Sequence, residues 1–282
     1  MATNIAKLEA QADWDNLKAA IDPRGKNQAV TNILAAARAS GACSAMVEEE
    51  YLDQDFSTEF SAFYSKVFRR YTKICQRIHF FSAPLHPIFQ ANHEPKKISD
   101  ELTALSDADQ YIGFVVIRPI EHAPLGRVVL RAPKGEAGTS AELLIRATYE
   151  VHVLGACLKV AGNTYTQQDS RIAACAQAAI WSAARHFHVR HKGPWISTVD
   201  VSEAAAKVTD QTLTQSLPAG SGGLSVDNMV RALKEIGRQI IKHSARFAQI
   251  WPRRSTLRGG ISAAIGRLNG RVSPDPYHEV SF

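Results

Sequence analysis

Cys175 opens the run Cys175-Ala-Gln-Ala-Ala-Ile-Trp181, and two glutamines, Gln167 and Gln168, precede it by eight and seven residues. Those residue types in that order suit nucleophilic attack on a carbonyl. A helix N-terminus carries roughly half a positive charge and favours a thiolate over a thiol, and the thiolate is the attacking form. An amide just upstream can donate a hydrogen bond to the oxyanion that forms. Asp169 or Ser170 is suited to cap the helix, which leaves Cys175 within its first turn or two. Cys175, Ala178, Ala179, Ser182 and His186 then recur at helical spacing, predicting a face of small side chains that another element can approach closely. The competing reading of these residues is plain packing, since free cysteine is among the most buried residue types.

The elements that must hold this segment follow from the rest of the chain. With 282 residues, 45% of them apolar, the protein has material for a sizeable core and one large or two ordinary domains. Its four cysteines, Cys43, Cys75, Cys157 and Cys175, include no CxxC pair. That spread argues for free thiols in a reducing compartment and against a zinc ribbon. No signal sequence or long apolar run is visible, so the expectation is a cytoplasmic protein with no membrane span. The net charge is +6, but six arginines and two acids between Ser244 and Phe282 account for +4 of it, leaving +2 for the body. A nearly neutral body is not the face of a phosphate-tracking protein, so nucleic-acid binding is expected nowhere except through the tail.

Periodicity predicts helices first. Ile5, Leu8, Trp14, Leu17 and Ile21 share helical spacing up to Pro23-Arg-Gly25, a second helix covers Asn27 to Ala39, and a third covers Ser57 to Tyr71, with Phe60, Phe63, Tyr64, Val67 and Phe68 inward. A strand is predicted between Ala42 and Tyr51. The acidic run Glu48, Glu49, Glu50, Asp53, Asp55 reads as a solvated edge leading into a helix start. From Ile74 onward β-branched and aromatic residues cluster in Ile78–Phe81, Tyr111–Ile117, Arg127–Leu130 and Leu143 through Leu154, which predicts strands, with a helix at Ser99–Leu105 between them. A loop is expected near Ala161-Gly-Asn163. Past the Cys175 helix come an extended piece at Trp195–Val199, a helix at Ser202–Val208, a Gly/Ser loop, and an amphipathic helix from Leu224 to Gly237 capped by Ser225, with Met229, Leu233 and Ile236 as its apolar stripe. The fold class is therefore α+β.

The block from Gln168 to Trp181, followed across a loop by Gly223-Leu-Ser-Val-Asp-Asn-Met-Val-Arg-Ala-Leu, resembles the N-terminal half of a papain-like cysteine peptidase domain. It is most similar to the bacterial branch that includes the bacteriocin-leader-processing peptidases. The likeness spans about residues 160–240. It implies Cys175 as nucleophile, Gln168 or failing it Gln167 as oxyanion donor, a peptide or protein as substrate, and no metal or cofactor. The glutamine stands one or two residues farther from the cysteine than is usual in that family, and Ala176 follows the cysteine where glycine is common. The family places its base on a later, strand-rich half, and His278 in His278-Glu-Val-Ser-Phe282 is the residue here that matches such a strand. His243 lies at the end of a predicted helix and reads as a surface residue.

This divides the chain into an α+β region of unknown role at residues 1–160, a papain-like helical lobe at 161–243 and a basic tail at 244–282. The expectation is a cysteine peptidase-like protein, inactive if it is a truncated or frame-shifted form beyond Arg238. The alternative is a non-catalytic module that binds a protein partner. His186, His188 and His191 do not gather on one helical face, which argues against a metal site there. His79, His86 and His93 are separated by loop-forming prolines and read as ordinary.

Overall fold

Every residue of Tyr111–Ile117 is apolar or glycine, and every one is buried. A strand with no solvent face belongs in the middle of a sheet that is covered on both sides. The structure, a computed structural model, describes residues 3–91, 94–132, 145–168, 175–207 and 224–237. Among these are the strands β1 (Thr3–Lys7), β2 (Ser44–Tyr51), β3 (Cys75–Phe81), β4 (Tyr111–Ile117), β5 (Leu125–Leu130), β6 (Ala147–Val153) and β7 (Ala156–Tyr165). They form one antiparallel sheet in the order β1-β2-β3-β4-β5-β7-β6, so β4 is indeed central. The helices are α1 (Gln11–Ile21), α2 (Gln28–Ala39), α3 (Gln54–Ala62), α4 (His86–Ala91), α5 (Pro95–Asp107), α6 (Cys175–His191), α7 (Thr198–Ala206) and a last one, α8, at residues 226–237. The α+β class expected from the sequence is what the chain adopts.

Helices α1 and α2 cover one face of the sheet. Trp14, Ile21, Val30, Leu34 and Ala37 pack there on Ala45, Ile78, Phe80, Val115 and Val128. The other face carries a second core in which Met46, Phe114 and Val129 of the main strands meet Tyr149, Val151 and Val153 of β6. That contact is possible because the sheet curls. β7 joins β5 through only Asn163–Tyr165, while its earlier residues pair with β6, so the β6–β7 hairpin folds back over the sheet. Alternate residues of β6 are buried, the pattern of a strand with one wet face. A third core joins α6, α7 and α8 through Ile180, Trp181, Val201, Ala205, Ala232 and Ile236. Gly113 shows how close the strands run: its φ is +137°, and a Cβ there would sit 2.1 Å from the Val129 carbonyl oxygen, so no other residue fits.

Several expectations are corrected. Residues 3–7 pair with β2 as an edge strand; short range had hidden this, because Ile5 and Leu8 fit a helical period by chance while the register Thr3↔Glu48 to Lys7↔Ser44 is set by a partner about 40 residues away. The third helix begins at Gln54, capped by Asp53, whose side chain accepts from Phe56 N at 3.0 Å, and it ends at Ala62 instead of running to Tyr71. Phe68, expected inside, is fully exposed. Ala161–Asn163 lies within β7, not in a loop. Helix α7 starts at Thr198, because Ser197 and Asp200 form a capping box there that the extended reading overlooked. On α8 the side turned inward is Asn228, Ala232 and Ile236, while Leu233 is exposed. Residues Met1–Ile240 form one compact unit, and residue 160, where a domain boundary was expected, is in mid-strand in β7. Residues 238–282 lie outside the described residues, and with them His243, His278 and the basic tail.

Candidate functional site

Cys175 is the first described residue of α6, and it is exposed. Its thiol donates to the Gln168 side-chain oxygen at 3.1 Å. The two residues singled out by type and spacing are therefore brought together. A half-turn of the terminal amide would present Nε2 instead of Oε1 to the same place, which is what an oxyanion donor beside the sulfur requires. The small-residue face predicted for this helix is not its packing face. Gln177, Ile180, Trp181, Ala184 and Arg185 are buried, whereas Ala179 is exposed and Ser182 touches β7 through a hydrogen bond from its hydroxyl to the Thr164 carbonyl at 2.9 Å.

Gln167 does different work. Its backbone N–H donates to the Leu125 carbonyl at 3.1 Å, and its side-chain oxygen accepts from Leu125 N at 3.2 Å. Its Nε2 donates to Asn27 Oδ1 at 3.0 Å, and its own carbonyl accepts from Arg118 Nη2 at 2.8 Å. With its backbone N–H, its carbonyl, Oε1 and Nε2 each in a hydrogen bond, Gln167 is an anchor that fixes the chain one residue before Gln168. Its amide is committed to Asn27 and Leu125, which leaves Gln168 as the amide beside the thiol. Arg118 extends the anchor inward: the guanidinium pairs with Glu59 at 3.0 Å, both side chains are almost wholly buried, and Glu59 also accepts from the Thr198 hydroxyl at 2.8 Å. The anchor thus ties β5, α3 and the start of α7 to the segment that carries Gln168.

A second group of polar side chains sits on the inner face of the curled sheet. Glu48 pairs with Arg77 and His79, and His79 Nδ1 lies 2.9 Å from the Tyr111 hydroxyl. Burial raises the Glu48 carboxyl, but the hydrogen bonds from His79 and Arg77 outweigh it and hold the group below its ordinary value. Burial drives His79 down, against the pull of Glu48. A neutral imidazole fits both neighbours when Nε2–H donates to Glu48 and Nδ1 accepts from Tyr111, so the row is fully satisfied. Beside it, Asp55 accepts from Trp181 Nε1 at 3.2 Å and from Arg185 Nη2, and lies 3.9 Å from Arg127. Arg185 is 2% exposed and stacks over Trp195 and Trp181 with its charge 4.3 and 5.6 Å from their ring centres, so aromatic faces occupy the sides that hydrogen bonds do not.

The acidic run read as a solvated edge is thereby corrected in part. Glu49 and Glu50 are exposed, but Glu48, Asp53 and Asp55 are buried and paired. The signal was faint: Glu48 follows Met46 at strand spacing, on the same inward face. His79 falls in β3, where the strand was expected, but it is no ordinary residue: it lies fully buried between Glu48 and Tyr111. Among the other thiols, burial pushes Cys75 up to about 12, and Cys43 is also raised, by burial first and then by Glu9. No three metal-ligating side chains gather among the described residues; His186 and His191 have ring centres 6.4 Å apart, while His188 bonds the Gly193 carbonyl at 2.7 Å. No helix among the described residues is long and apolar enough to cross a membrane.

Comparison with protein-family models, curated proteins and solved structures finds no match to this chain.

Proposed function

We propose that this chain is cysteine peptidase-like, with Cys175 attacking a peptide or related amide carbonyl and Gln168 donating to the oxyanion. The observation that carries the reading is the exposed Cys175 thiol within 3.1 Å of the Gln168 amide. In the step, the sulfur forms a bond to the carbonyl carbon and the carbonyl π electrons move to oxygen, where an amide N–H stabilises the charge; collapse then expels the amine, which needs a proton. A base that takes the thiol proton and returns it to that amine is required, and among residues outside the described part His278 is the candidate. The likeness of residues 160–240 to the papain-like family supports the same assignment. The substrate class is a peptide or protein.

A peptidyl vinyl sulfone tests this directly, because its alkene adds to an activated thiolate and is slow with ordinary thiols. The expected result is one adduct, at Cys175, lost in Cys175→Ser and slowed at least tenfold in Gln168→Ala. Equal labelling of Cys43, Cys157 and Cys175, or none at any of them, would overturn the proposal. A second reading, a non-catalytic module for a protein partner, is favoured by one observation: Val226, Val230 and Leu233 are exposed at helical spacing along α8. It predicts no adduct, together with loss of partner binding when Val230 and Leu233 are made polar.

A further inference from the structure

A cleft of about 540 Å³ opens on the inner face of the curled sheet, beneath the β6–β7 hairpin, in residues that the Cys175 reading does not use. Its size falls within the range of roughly 300–1,000 Å³ typical of small-molecule sites. Arg77 and Arg127 line it, together with Phe114 and Tyr149. Each guanidinium is held from behind by a carboxylate. Glu48 behind Arg77 is 2% exposed, and Asp53 and Asp55 behind Arg127 are 1% and 10% exposed, whereas Arg127 itself keeps 22% of its side chain open. Aromatic rings fix both planes, Tyr51 at 4.1 Å from Arg77 and Phe114 at 5.5 Å from Arg127.

Arg127 is well oriented but poorly satisfied. Its contacts to Asp53, Tyr51 and Asp55 are all long, at 3.4, 3.5 and 3.9 Å, and its Nε has no hydrogen-bond partner. The Tyr149 hydroxyl, on a residue 6% exposed, closes no hydrogen bond either, although Thr164 is near enough to offset in part the rise that burial imposes on it. Buried polar groups in native proteins nearly always find partners. Both of these groups are donors, and both belong to residues that line one cleft. Three cations, Arg77, Arg127 and Arg185, face three buried acids, Glu48, Asp53 and Asp55, so the surroundings are close to neutral; at the lining itself Glu48 is taken up by Arg77 and His79, and Glu150 adds a further negative charge. Such a site has no surplus charge for a phosphate dianion. It suits one negative charge on a planar group that a guanidinium fork can meet at two oxygens.

We infer that this cleft binds a small organic monocarboxylate, with its carboxylate on Arg127 and Tyr149 and its apolar body against Phe114 and the buried side chains of β6. The test is titration of the full chain with benzoate and hexanoate against their uncharged amides, benzamide and hexanamide, followed by ligand-observed NMR. Both carboxylates are expected to bind at least tenfold more tightly than their amides. Tyr149→Phe removes a hydroxyl whose one near neighbour in the protein is Thr164, so its melting temperature should move little while carboxylate affinity falls at least fivefold. Arg127→Lys should give a similar loss, and Glu150→Gln a two- to threefold gain. Cys175→Ser should bind as the parent does, which keeps this inference separate from the peptidase proposal. Equal binding of acid and amide, no binding of either, or full-strength carboxylate binding in both Tyr149→Phe and Arg127→Lys would overturn it.

Discussion

The mouth of α6 and the inner face of the sheet hold the protein's reactive and charged groups in opposite ways. Cys175 and Gln168 are exposed and joined by a single hydrogen bond. Asp55 and Arg185 are almost wholly buried, share a bond, and are enclosed by Trp181, Trp195 and Arg127. An exposed pair, as the proposed reaction would need, has few contacts of its own, so its geometry comes from a neighbour that is itself held, here Gln167. A buried ion pair is held directly by its surroundings, and the loss of one member leaves a charge that nothing solvates.

The contrast can be broken most severely at the buried end. Asp55→Ala should destabilise the fold by about 3–5 kcal/mol, because Arg185 is left unpaired in the core. Burial already holds the Asp55 carboxyl above its ordinary value despite Arg185 and Arg127, so the pair is not a large net stabiliser. Accordingly Asp55→Ala with Arg185→Leu should recover most of that loss in urea denaturation. Recovery of none would mean that the arginine's other contacts matter more than its charge.

Next comes the anchor. Gln167→Ala removes the partners of the Leu125 amide and of Asn27, and should cost about 1–3 kcal/mol while slowing vinyl sulfone labelling of Cys175. Gln168→Ala should slow labelling with a stability change within about 0.5 kcal/mol, as for an exposed side chain. Stability and labelling measured on both variants would then separate the two glutamines. Equal effects on stability would erase the distinction between anchor and reagent.

A smaller effect is expected from pH. His79 binds a proton less readily in the folded protein than in the unfolded chain, whose value lies near the ordinary 6.5. Its contribution to stability is therefore whole above that pH and shrinks as the pH falls through the depressed folded value. Glu48, also depressed, acts with the same sign at lower pH, from about its ordinary 4.5 downward. Melting temperature should fall on acidification below about 6.5, and His79→Gln should flatten the upper part of that fall. The smallest change is at the β6–β7 turn, where Leu154 and Gly155 have φ of +49° and +84°. Leu154→Asn suits that left-handed position and should stabilise by about 0.5–1 kcal/mol in the same melts.

How much of this could be read from the sequence depended on range. Tyr111–Ile117 is legible as a strand from its run of β-branched and aromatic residues, and the same lack of a polar side accounts for its central place in the sheet. The thiol and amide were found because seven residues separate them. Glu48 and Arg77 are 29 residues apart and Asp55 and Arg185 are 130 apart, so their pairing depends on strand register and helix docking, which a local pattern does not carry. Edge strand β1 was missed for the same reason, since half of its identity lies in β2.

The end of β7 has one further consequence. Tyr165 is the last residue paired with β5, opposite Val128, and the two glutamines follow almost at once. Were that pairing to shift by a single residue one way, Gln168 would fall where Asn27 and Leu125 now hold Gln167 and Asp169 would follow it beside the sulfur; shifted the other way, Gln167 would take the place beside the sulfur and Thr166 the anchor's. The alignment of two short strands thus acts as the selector that decides which side chain lies beside the Cys175 sulfur.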